Sequence, residues 1–158
     1  MWASDGFALA AVVAFVVGGV VLGVVDVRTR KLPDRLLLAT ALGVLASLVA
    51  SAWHAGDPSA LVRAGVGALV MFVVFLGIAL AVPGELGFGD VKLAGVVGLM
   101  TGWFGWLTLL AAAVLTFVLA GAVAIGLLMI RRAGRRSTLP LGPFMILGAL
   151  AALGVAAL

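Results

Sequence analysis

The chain is written in apolar runs of about 20 residues separated by short polar stretches, the length an α-helix needs to cross roughly 30 Å of hydrocarbon. Helices rather than a barrel are implied. Of the 158 residues 65% are hydrophobic and 10% charged, and the mean hydropathy is +1.37. That is more apolar surface than a small water-soluble core buries, so the fold class is an all-α integral membrane protein. The chain has no cysteine, which excludes disulfides, thiolate metal sites and a cysteine nucleophile together. Its single histidine, His54, has no second histidine with which to complete a metal site, so neither a metal nor a cofactor is expected.

The runs predict six membrane segments at about 7–25, 35–53, 62–82, 90–101, 104–130 and 141–158, forming one membrane-embedded domain over residues 1–158. The fourth is short and the fifth long, with their boundary near Thr101, Gly102 and Trp103. No basic stretch precedes the first segment and no small-residue cleavage site follows it, so it reads as a retained anchor rather than a signal peptide. Orientation follows from the basic residues. Arg28, Arg30, Lys31 and Arg35 follow segment one, Lys92 lies near the third-to-fourth connection, and Arg131, Arg132, Arg135 and Arg136 follow segment five. An even number of spans then places nine of the ten basic residues in the cytoplasm and only Arg63 opposite, with both termini outside. The net charge of +4 is therefore a matter of topology and anionic lipid headgroups, not of nucleic acid.

Glycines within the helices, including Gly18, Gly19, Gly65, Gly121 and Gly126, are expected where helix backbones pack closely. Trp2, Trp53, Trp103 and Trp106 fall near proposed outer ends, as an interfacial belt would place them.

Six acidic residues remain to be accounted for. Asp5 and Asp57 fall in proposed outer loops, and Asp34, after Pro33, reads as the N-cap of segment two. Asp26 closes the run GGVVLGVVDV, at a depth where an ionisable group is expected to face the bundle interior and to have a partner or a function. A salt bridge to Arg28, Arg30 or Lys31 is the plainer alternative. Asp90 follows Gly87, Phe88 and Gly89 in GELGFGDVKLAG, a glycine turn feeding a helix N-terminus. Glycines there permit positive φ and close backbone approach, although Asp90 as a simple helix cap explains the stretch equally well.

Taken as a pair, the two aspartates say more. Though 64 residues apart, both fall at the cytoplasmic ends of their segments. Carboxylates meeting in a partly dry site share a proton near neutral pH, and one can then act as base on water while the other acts as acid toward a carbonyl. That is peptide hydrolysis without metal or thiol.

Three stretches carry a resemblance. DVRTRKLPDRL (Asp26 to Leu36), GFGDVKLAG (Gly87 to Gly95) and LPLGPFMILGA (Leu139 to Ala149) are similar, in order and separation, to the two catalytic segments and the C-terminal helix of the type IV prepilin peptidases, which belong with the membrane-embedded GxGD aspartyl proteases. The resemblance implies a six-helix GxGD protease core, with Asp26 and Asp90 as catalytic dyad at the cytoplasmic face of the cell membrane. Gly87 and Gly89 become the turn giving backbone access. It implies prepilin-like substrates with a basic leader and a hydrophobic helix. Larger members also methylate the new N-terminus and carry a cysteine-rich loop; this chain resembles the short, peptidase-only form associated with Flp/Tad-type pili, related secretion systems or archaella, so methyltransferase activity is not expected.

Two secondary expectations attach to the pair. Asp90 at a helix N-terminus and Asp26 at a helix C-terminus feel opposite helix dipoles, which predicts that Asp26 holds the shared proton and Asp90 deprotonates water. Lys92 and Glu85 are the auxiliary candidates, Lys92 as a neutralising or interfacial cation and Glu85 as a loop residue able to contact the basic leader. The rival reading is a non-enzymatic membrane subunit or small ion-coupled transporter using the same carboxylates.

Overall fold

The structure, a computed structural model, describes residues 6–29, 32–82, 86–129 and 140–156. Among them are six α-helices and no strands: α1 (Gly6–Thr29), α2 (Asp34–Ala55), α3 (Ser59–Ala81), α4 (Phe88–Phe104), α5 (Trp106–Met129) and α6 (Gly142–Ala156). Helices α1, α2, α3 and α5 are long and apolar enough to cross a membrane. α4 and α6, at 17 and 15 residues, are shorter.

The short α4 has a physical reason to be short. It alone packs against every other helix, most extensively against α3, and it buries nine residues from Val91 to Gly102. A helix of about 26 Å enclosed by neighbours has its surface covered by protein and need not match the bilayer by itself. α1 pairs with α2 and α5 with α6, while α6 also reaches α1 and α4. α5 is the peripheral member, with Leu107, Leu110, Val114, Phe117 and Val118 all exposed, as lipid-facing residues are in a membrane bundle.

Close approach depends on glycine at specific crossings. A Cβ on Gly98 would fall inside the carbonyl of Gly67, and one on Gly67 would lie 2.7 Å from the Gly98 carbonyl oxygen, so α3 and α4 meet backbone to backbone. Gly18 meets Thr40 of α2, and Gly19 meets Ile146 of α6. The expectation fails for Gly65, Gly121 and Gly126, which have open space where a Cβ would be. Abundance of glycine in a membrane helix does not distinguish a packed position from a lipid-facing one.

The fourth segment runs three residues beyond its expected end, to Phe104. The corner to α5 is the single residue Gly105, at φ +143 and ψ 166, a conformation open in practice only to glycine. Arg63, the one basic residue expected on the far side, donates from Nε to the Gly102 carbonyl (2.9 Å) and from Nη2 to the Trp103 carbonyl (2.6 Å). It closes the last turn of α4 with a cation where carbonyls are unpaired and the helix dipole is negative.

Other end residues were misread in part. Asp34 is the first residue of α2 rather than its cap; Pro33 occupies the cap position without a side-chain hydrogen bond. Trp53 and Trp106 are exposed, in keeping with a belt, but Trp103 packs partly buried against the core. Asp57 caps the start of α3 by accepting from the Ser59 backbone N–H (2.9 Å), and hydrogen bonds from Ser59 hold its carboxyl below the usual carboxylate range. Trp2, Asp5, Arg30, Lys31, Glu85 and the four arginines from Arg131 to Arg136 lie outside the described residues.

Candidate active site

Each aspartate is placed by its own helix. Leu22 is fully buried and Asp26 follows it one turn later on the same face of α1, so the carboxyl is carried into the bundle and is only 5% exposed. Asp90 is set by the start of α4. Gly87 is the cap residue, at φ −77 and ψ 148, and the Asp90 amide donates back to the Gly87 carbonyl at 3.0 Å. Three residues into the helix, the Asp90 carboxyl turns back toward the Gly87 backbone N–H, the half of a capping box that an acidic side chain at this position provides. Neither site glycine takes positive φ; among the described residues only Gly56 and Gly105 do.

The spacing glycine contributes in another way. A Cβ on Gly89 would lie 2.9 Å from Cβ of Leu32, so its missing side chain admits the segment entering α2. This brings the α1–α2 connection over the start of α4.

The two aspartates line one cavity of about 390 Å³, together with Leu32, Asp34, Gly87, Phe88, Gly89 and Lys92. They are near enough for the charge of one to act on the other. Oδ2 of Asp26 and Oδ1 of Asp90 are buried without a hydrogen-bond partner among the described residues. An unmet buried polar atom costs on the order of 1–3 kcal/mol, and more when charged. Both aspartates line a cavity large enough to hold water, and two acidic side chains carried into the bundle at one cavity mark a candidate functional site.

Asp26 has a neighbour that its sequence context does not announce. Gly142, the first residue of α6, brings its backbone N–H to the Asp26 carboxyl, and a Cβ there would lie 2.7 Å from Oδ2. The stretch LPLGPFMILGA thus enters the site through backbone rather than side chain, at the glycine of LPLGPF. Asp26 thus lies at the negative end of α1 and also faces the positive end of α6, so the two helix dipoles act on it in opposite senses.

Lys92 does not approach either buried aspartate as a partner. Its Nζ pairs with Oδ1 of Asp34 at 2.6 Å, both side chains substantially exposed, joining the starts of α2 and α4 at the cavity rim. No group of His, Cys, Asp or Glu among the described residues is arranged to hold a metal ion.

The class that the fold defines is a helical membrane bundle, here with two aspartates lining one cavity. The sequence matches the type IV leader peptidase family over residues 13–130, and the chain belongs to that family. It is 30% identical over 128 residues to a prepilin leader peptidase/N-methyltransferase of Aeromonas hydrophila, a match covering 80% of this chain. The chain spans 42% of the length of that relative. No solved structure gives a significant match.

Proposed function

We propose that the protein is an aspartic endopeptidase of the cell membrane that removes the leader from type IV prepilin-like precursors at the cytoplasmic face. The observation that carries the reading is the shared cavity, in which Asp26 and Asp90 each present a buried carboxyl oxygen without a hydrogen-bond partner among the described residues.

The reaction needs one proton between the two carboxyls. The ionised member takes a proton from water, the water oxygen attacks the carbonyl carbon, and the protonated member donates to the carbonyl oxygen. Collapse of the tetrahedral intermediate transfers a proton to the leaving amine. The pair titrates as a unit, and neither residue is assigned a fixed role. Gly87, which lines the cavity without a side chain beside the Asp90 carboxyl, is the place where an extended backbone can lie, while Gly89 makes room for Leu32. Glu85 and Asp34 are the acidic groups nearest in sequence to the rim segments and are the candidates for contact with a basic leader.

The test is co-expression with a precursor carrying a basic leader and a hydrophobic helix. Asp26→Asn and Asp90→Asn should each lower cleavage by about 10²–10⁴-fold, the span of a general acid or base, and the double variant should be no worse than the weaker single one. Cleavage persisting in both single variants refutes the assignment. Activity that follows an ion gradient with no cleavage product would favour a transporter instead.

A further inference from the structure

A second cavity, of about 350 Å³ and almost wholly apolar, runs between α1 and α6 on the side facing lipid. Val20, Val24 and Val27 of α1 and Pro143, Leu147 and Leu150 of α6 line it, with Gly19 and Gly23 packed against Ile146 where the two helices meet. It adjoins the aspartate cavity through the first turn of α6: Gly142 lies against Asp26, and the next residue, Pro143, lines the groove. Val27 is likewise the residue after Asp26 on α1. The groove extends from that point over two turns of α1, about 12 Å toward the bilayer interior.

From this juxtaposition we infer that the groove between α1 and α6 is the docking surface for the hydrophobic helix of the precursor, an inference that rests on the peptidase reading above. A substrate with a polar leader joined to an apolar helix is bipartite, and so is the site. One cavity holds carboxyls and glycine backbone, while its neighbour holds valine, leucine and glycine. Once the scissile bond lies between Asp26 and Asp90, the chain beyond it must leave within a few residues along an apolar route. The groove begins within one residue of Asp26 on one helix and of Gly142 on the other.

Because the chain has no cysteine, single cysteines report contacts without background. Cysteine is placed at Val20, Val24 or Leu147 in the groove, or at Val114 or Val118 on the exposed face of α5, in the Asp90→Asn background that retains substrate. Each is paired with a precursor bearing one cysteine in its hydrophobic helix, in membranes, under mild oxidation. Adducts from the three groove positions and none above background from α5 are expected. Equal adducts from both faces, or none from the groove because lipid fills it, overturn the inference. In parallel, Val24→Trp, at a position already about half exposed, should lower kcat/KM for the membrane-embedded precursor by about tenfold, as obstruction of a central contact does. Unchanged turnover by Val24→Trp also overturns it. Failure of the wild-type chain to cleave at all instead sinks the peptidase reading itself, so the two failures are distinguishable.

Discussion

Gly142 is the residue whose side chain, by being absent, lets α6 reach Asp26. Substituting alanine places a methyl carbon 2.7 Å from Oδ2, and either the carboxyl or the first turn of α6 must shift. Displacements of about 1 Å at reacting groups cost up to 10²-fold in rate, so Gly142→Ala should lose kcat by that order while KM for the precursor changes little. A folded variant with unaltered kcat would show that the contact is only packing. Legibility at this scale was uneven. That Asp26 and Asp90 line one cavity was legible only from the pair, since each alone has a structural explanation, a salt bridge for the one and a helix cap for the other. Gly142 could be quoted as part of a motif but not given a job, since a backbone contact leaves no chemical trace in the residue that makes it. Lys92 was recognisable as a neutralising cation, yet its partner, Asp34, is 58 positions away and was read as a cap.

Among the helices, the decisive contrast is between glycines that touch and glycines that do not. Gly98→Ala drives a methyl group into the Gly67 backbone and should destabilise the bundle by about 1–3 kcal/mol, the usual cost of overpacking. Gly121→Ala, with nothing nearby, should be neutral or raise stability by up to about 1 kcal/mol through the better helix former. Thermal unfolding in detergent separates the two, and equal effects would contradict the α3–α4 crossing. The same assay applies to Arg63→Met. Loss of two charge-assisted bonds to the end of α4 should cost about 1–3 kcal/mol, with Arg63→Lys recovering part of it. By comparison the exposed Lys92–Asp34 pair contributes at most about 1 kcal/mol, so its importance lies in where it holds the starts of α2 and α4. The six helices were legible because polar stretches separate the apolar runs, the short α4 and α6 included. The end of α4 was not, because Thr101, Gly102 and Trp103 look like a boundary while Gly105, whose φ of +143 makes the corner, looks like any other glycine.

For the molecule as a whole, the arrangement places Arg28, Arg35 and Lys92 at the cavity end of the bundle and Arg63 at the opposite end, beside the C-terminus of α4. A precursor leader held in the cytoplasm requires the first of these ends to face inward. A membrane-impermeant maleimide should therefore label Asp57→Cys in intact cells and Arg35→Cys only after lysis. The reverse pattern would put the aspartates on the wrong side for leader removal.

The enclosure of Asp26 by α6 has a bearing on biosynthesis. The chain emerges from the ribosome N-terminus first, so α1 and α4 can bring both acids together before Gly142 exists. Until α6 docks, the Asp26 carboxyl lacks the Gly142 backbone beside it and the groove lacks Pro143. The cavity is therefore complete only once α6 has packed against α1, well after both aspartates have been made.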